Sequence, residues 1–182
     1  MEEKRHHLPH IGMRNLKSAL SAALCAALYY AIDRNPTFAC IGAVYGMGND
    51  MPHSWQQGGN RLIGTIIGGF LGMGLFWLYL LFTPTGEERM LLVPLTFVGV
   101  VILICLSQFF QWPTAVQPGS VVLCIILFNT PTDTYVSYAL NRMVDTGVGV
   151  MMSLVINCLL PRERLDVWKQ KFLKTPSQQT KE

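Results

Sequence analysis

Charge is what this sequence has least of. Only 14% of its 182 residues are charged, against 51% hydrophobic, whereas a soluble domain carries about a quarter charged residues. From Met90 to Thr132 there is no Asp, Glu, Lys or Arg, a stretch long enough for two bilayer crossings of about 20 residues each. A soluble domain is excluded, and the lipid bilayer is the first partner implied. Paired cysteines are missing too: Cys25, Cys40, Cys105, Cys124 and Cys158 stand singly in apolar runs, without ligand-like spacing or a nearby His, and read as inert packing residues. No apolar run begins before about Leu16 and no small-residue cleavage site follows one, so a secretory signal is absent and the first span is expected to be retained. No nucleophile elbow, phosphate loop or paired-His metal site is present, which argues against an enzyme. No cofactor, metal or nucleic-acid partner is expected. His6, His7 and His10 stand in an N-terminal arm beside Pro9 and read as part of a solvated basic tail rather than as metal ligands.

The few charges are informative by position. If six spans start from an inside N-terminus, the outside segments hold only Arg34, Arg89 and Arg142 of the 14 basic residues. The rest, including Arg14, Lys17, Arg61 and the cluster from Arg162 to Lys174, fall inside. The positive-inside rule then places both termini in the cytoplasm of a multi-pass protein.

The spans read as about 16–32, 36–48, 62–82, 90–107, 114–128 and 143–160. The second and fifth are short: 36–48 covers roughly 20 Å of a hydrocarbon core about 30 Å thick, and the fifth is interrupted by Gln117-Pro118-Gly119. Both open in the same way, at Pro36-Thr37 and at Pro113-Thr114. Paired short or broken segments in corresponding positions point to a transport site. In the third span Gly64, Gly68 and Gly72 recur every four residues and invite a close helix neighbour. Residues 1–15 read as a cytoplasmic arm and 16–160 as a six-helix transmembrane domain. The segment 161–174, with Leu165, Trp168 and Phe172 on one face, suits a basic amphipathic helix on an anionic leaflet. A disordered tail is expected over 175–182.

Asn60-Arg61 followed by Leu62-Ile63-Gly64-Thr65 is echoed by Asn141-Arg142 followed by Met143-Val144-Asp145-Thr146. The echo divides the chain into repeats of about 12–83 and 88–160. An odd number of crossings per repeat would set the second upside down relative to the first, and inverted repeats are a transporter signature. Asn60 reads as the N-cap of the third span, so that Arg61 combines with the positive end of a helix dipole to attract an anion; the other reading is that Arg61 snorkels to headgroups. Arg142 stands where the positive-inside rule disfavours arginine. Asp145, three residues on, is placed for an ion pair with Arg142, either as a proton acceptor and gate or as a permanent structural pair. The candidate substrate-binding set is Arg61, Arg142, Asp145, Asn60, Asn141, Thr65 and Thr146. Asp50, His53, Gln56 and Gln57 read as a solvated loop, or as a polar inner vestibule.

With these residues laid out, the chain resembles the fusaric acid resistance and aromatic acid exporter superfamily of bacterial membrane proteins. The resemblance rests on residues 12–19 (Gly12-Met13-Arg14-Asn15-Leu16-Lys17-Ser18-Ala19), Asn35-Pro36-Thr37-Phe38-Ala39 and, most specifically, Asn60 to Gly69, and it spans about 11–161. It implies an all-α membrane module of six helices in the bacterial inner membrane, dimerisation, and efflux of small organic anions such as aromatic carboxylates; plant aluminium-activated malate channels look distantly similar. Many relatives continue into a cytosolic domain or duplicate the membrane module, so assembly with itself or a partner is expected of this chain. Two other readings stand beside the exporter: a passive anion channel of the same architecture, and a non-transporting membrane scaffold.

Overall fold

The apolar runs fold as helices throughout. The computed structural model describes residues 12–83 and 89–160; the expected interfacial helix at 161–174, the tail, the N-terminal histidines and the rest of the arm before residue 12 lie outside them. Among the described residues there are six α-helices and no strand: α1 (Met13–Ala31), α2 (Thr37–Gly46), α3 (Met51–Phe82), α4 (Leu92–Phe109), α5 (Val116–Asn129) and α6 (Tyr135–Leu159), with short 3-10 turns at Arg89–Leu91 and Pro113–Ala115. Three stretches are long and apolar enough to cross a membrane: Met51–Phe82, Arg89–Phe109 and Tyr135–Leu159. α1 has the length, at 19 residues, but its Arg14, Lys17, Ser18 and Ser21 dilute its apolar character.

Two helix starts differ from the sequence expectation. α3 begins at Met51 and α6 at Tyr135, each well before the expected start, so Asn60 caps no helix. The cap is Asp50, whose carboxylate accepts from the His53 amide at 3.0 Å, with Pro52 in the first turn. The polar stretch from His53 to Gln57 is therefore the first turns of α3 and not a loop. A helix packed among others can afford polar residues there, because its backbone hydrogen bonds are satisfied within the helix.

α1 and α4 stop in the same way. Asp33 and Gln111 both take positive φ, 54° and 59°. The amide two residues past each C-cap reaches back to the helix, Arg34 to the Tyr29 carbonyl at 2.9 Å and Trp112 to the Ser107 carbonyl at 2.8 Å. Each is a Schellman closure, and a proline follows each. The closures aim the chain into the two short helices, α2 and α5.

The short helices pack on the long helix of the other half. α2 lies along α6, with Gly42 against Thr146 and Gly149, and Gly46 against Ser153. α5 lies along α3, with Gly119 against Gly64 and Gly68, and Ile126 against Gly72. In both pairs the numbering rises together, so the helices run parallel. α3 and α6 are antiparallel, since Gly58 meets Val150, Leu62 meets Gly147 and Gly69 meets Met143. One apolar core gathers Leu75, Phe76, Tyr79, Leu92, Leu123 and Ile126; a smaller one joins Cys25, Tyr29, Ala39 and Ala43. Large apolar side chains cover the outer faces instead of water-seeking ones: Leu16, Leu20, Leu24 and Leu28 form an exposed stripe on α1, and Phe70 and Trp77 on α3 and Phe97 on α4 are exposed too. Such a surface is stable only where lipid covers it.

Candidate functional site

Arg61 sits ten residues into α3, about 15 Å along its axis from the first residue. It borders a cavity of about 850 Å³ whose walls include Arg14, Tyr45, Gln57, Asn60 and Gln117. The guanidinium lies 4.7 Å from the centre of the Tyr45 ring, a cation–π contact. Among the described residues it has no hydrogen-bond acceptor and no carboxylate, and its Nε is fully buried. Arg14 donates its Nε to the Met47 carbonyl at 3.1 Å, which holds its head against the C-terminal end of α2.

Arg142 belongs to a second, smaller cavity of about 250 Å³, bordered also by Arg34, Phe38, Tyr138, Asn141 and Asp145. It is 8% exposed. The guanidinium lies over the Phe38 ring, with the Tyr138 ring 4.3 Å away, and donates Nη2 to the Tyr138 hydroxyl. Its Nη1 is buried with no acceptor among the described residues. Asp145 does not pair with Arg142. Its carboxylate accepts from Arg34 at 3.1 Å and from the Tyr29 hydroxyl at 2.8 Å, and Arg34 also reaches the Asn141 side chain at 3.1 Å. The expected i,i+3 pair fails because Arg142 turns onto two aromatic rings, while the closure after α1 delivers Arg34 to the carboxylate.

The structure thus brings Asn60 and Arg61 to one cavity and Asn141, Arg142 and Asp145 to the other. Thr65 and Thr146 border neither. The Thr65 hydroxyl donates to the Arg61 carbonyl at 2.9 Å, a bond within its own helix, and Thr146 lies under Gly42 in the α2–α6 contact. The residues that sequence reasoning missed are Arg14, Tyr45, Phe38, Tyr29 and Arg34, which reach the cavities through tertiary packing, and Tyr138, which stands one helical turn before Arg142 and was legible by spacing.

The two arginines are closer than their place in separate cavities suggests. Since Gly69 faces Met143 and Leu62 faces Gly147, Arg142 lies level with about the ninth residue beyond Arg61 on α3, about 13 Å along the axis. Between them α3 and α5 touch backbone to backbone at Gly68 and Gly119, and close to the level of Arg61 α6 and α2 do the same at Gly149 and Ala39. A second polar knot lies beyond Arg61: buried Lys17 donates to Asn157 at 2.9 Å, Asn157 donates to the Ser54 hydroxyl oxygen at 2.8 Å, and that oxygen also accepts from the Gly48 amide at 2.7 Å. No group of three or more His, Cys, Asp or Glu able to hold a metal occurs among the described residues.

Long apolar helices with a lipid-suited exterior, built around two arginine-lined cavities, define an integral membrane protein. The chain belongs to the aromatic acid exporter family: the model for Aromatic acid exporter family member 1 matches residues 9–160. That makes it a membrane protein of an exporter family and bears out the resemblance read from the sequence. No curated protein and no solved structure matches the chain.

Proposed function

We propose that the protein is a carrier that exports organic anions such as aromatic carboxylates, with Arg61 and Arg142 as the cations that attract them from the two sides. The observation that carries this reading is that both arginines are turned inward and, among the described residues, neither has a carboxylate partner. A cation left unpaired at membrane depth is expensive and is kept where it serves a substrate or ion path. Asn60 and Asn141 add hydrogen-bonding capacity beside each arginine, and Asp145 neutralises Arg34, which leaves Arg142 as the free cation of its cavity.

The architecture we assign is six crossings in two inverted repeats, about 12–83 and 88–160, in the inner membrane of a bacterium, with both termini cytoplasmic and two copies forming a dimer. Support for the inversion comes from packing: α2 rests on α6 as α5 rests on α3, α3 and α6 are antiparallel, and α1 and α4 end in the same closure. The unequal cavities and the glycine-packed layer between them favour a carrier over an open channel, because one side is wide while the other is narrow. Alternating access then consists of exchanging the packing of one repeat for that of the other.

The test is uptake of labelled aromatic acids into proteoliposomes by wild type, Arg61→Gln and Arg142→Gln. Flux falls at least tenfold in each variant while the detergent-solubilised protein elutes and melts like wild type. Unchanged uptake by both variants sinks the assignment. Ohmic anion currents in planar bilayers would replace the carrier with a channel.

A further inference from the structure

The cavity on the Arg61 side carries two arginines and, among its bordering residues, no acid to offset them. The cavity on the Arg142 side also holds two, Arg34 and Arg142, but there Asp145 takes up Arg34. Among the described residues, the wider cavity therefore presents two positive charges with no acid beside them and the narrower one a single such charge.

We infer that the wide cavity is built for an organic dianion, with Arg61 holding one anionic group and Arg14 the other, so that Arg14 sets selectivity for doubly over singly charged substrates. The inference rests on the anion-carrier reading. Arg14 is exposed and stands in the first turn of α1, where a basic residue alone would mean little. Its place is fixed by the Met47 bond, which occupies one of the five guanidinium donors and leaves four for a ligand. A head already held in position loses less freedom when it binds. Arg61 supplies the independent half of the argument, since its buried Nε has no acceptor and a buried donor of this kind gains most when an anion reaches it. The rest of the described wall is uncharged and mostly apolar, which suits an aromatic ring, with Gln57, Asn60 and Gln117 able to donate to carboxylate oxygens or to ring hydroxyls. The volume, about 850 Å³, accommodates a ring acid bearing two carboxylates. The difference between cavities also gives a direction: a dianion is held more tightly on the Arg61 side and more weakly where it leaves.

The test compares benzoate with terephthalate, which share a ring and differ in one carboxylate, as substrates of the full chain in proteoliposomes. Wild type takes terephthalate with a KM about tenfold below that for benzoate, the low end expected for one added charge-assisted hydrogen bond at an exposed site. Arg14→Gln removes the preference, raising the terephthalate KM by about tenfold and the benzoate KM by much less. Arg14→Lys, which keeps the charge, retains the preference. Equal KM values in wild type, or loss of the preference in Arg14→Lys as in Arg14→Gln, overturn the inference while leaving the carrier reading intact. Uptake of neither acid by wild type overturns the carrier reading on which it rests.

Discussion

Alanine at Gly149 and at Gly68 tests the helix contacts that hold the two cavities apart. A methyl group built on Gly149 would lie 2.8 Å from the Ala43 nitrogen and 2.9 Å from the Ala39 carbonyl carbon; on Gly68 it would lie 2.8 Å from both the carbonyl carbon and the Cα of Gly119. Carbon atoms rest at about 3.5–4.0 Å, and every atom met is backbone, so no rotamer relieves the clash and a whole helix has to move by the better part of an ångström. Overpacking of this kind costs about 1–3 kcal/mol. Gly74 is the control: nothing lies within 4 Å of a methyl group there, and alanine gains up to about 1 kcal/mol of helix propensity. The gap between control and test variants is then about 1–4 kcal/mol, and at roughly 2–4 °C per kcal/mol for a chain of this size it becomes about 2–16 °C in Tm. Thermal unfolding of the purified variants in detergent reads it directly. Melting of Gly149→Ala or Gly68→Ala alongside Gly74→Ala refutes the contact argument. If the halves are true repeats, the two test variants also fall within about 1 kcal/mol of each other, since each places a methyl group on the backbone of the short helix across from it.

Two further predictions concern polar contacts. Asp145→Asn and Arg34→Gln each lower stability by about 1 kcal/mol, because Arg34 is 41% exposed and water replaces much of the lost pair, and the double variant costs less than the sum; strict additivity in thermal unfolding removes the ion pair from the account. At the start of α3, the amide and ring of His53 hold the Asp50 carboxyl below its usual range. A depressed carboxyl contributes stability above its unfolded-state pKa and loses it as pH falls through the folded one, so Asp50→Asn melts below wild type at neutral pH and the two converge in strong acid. A difference that persists there shows that the carboxylate charge is not what caps the helix.

The glycine stripe in the third span was legible because its spacing follows the helix repeat, but which helix fills it was not. Gly68 meets α5 and Gly149 meets α2, across halves, and local pattern carries no such address. Helix starts were misjudged because apolar content marks where lipid begins rather than where hydrogen bonding begins. Asp50 before Met51-Pro52 is a good cap and proline signal, yet the more striking Asn60-Arg61 echo drew the boundary to itself. The spacing of Arg142 and Asp145 on α6 favoured a local pair, and only the closure after α1, with Asp33 at positive φ, shows why a residue from outside the helix takes that carboxylate. The family resemblance held over nearly the whole span read from the sequence; of its most specific motif, Asn60 and Arg61 line a cavity while Gly64 and Gly68 pack against α5 and the turn before it.

α1–α3 and α4–α6 share the closure after their first helix and differ in what fastens them. α1 is tied to α6 at both ends by polar bonds, Lys17 to Asn157 on one side and Tyr29 to Asp145 on the other. In the position that answers Asp145, α3 has Gly64, which lets Ala115, Pro118 and Gly119 approach closely and has no side chain to bond another helix. Among the described residues α4 makes no side-chain hydrogen bond to another helix; it meets its neighbours through Leu75, Leu103 and Leu123 around Gly99 and Gly119. Polar bonds of fixed geometry hold one arrangement, while apolar contacts of similar shape let helices shear past one another at small cost. Under the carrier reading, α1, α2 and α6 therefore move as one block, and the give lies on the α4 side. Asp145, which ties α6 to Tyr29 and Arg34 where α3 has only Gly64, is then one of the bonds that keep this block, drawn from both ends of the chain, together while α4 shifts.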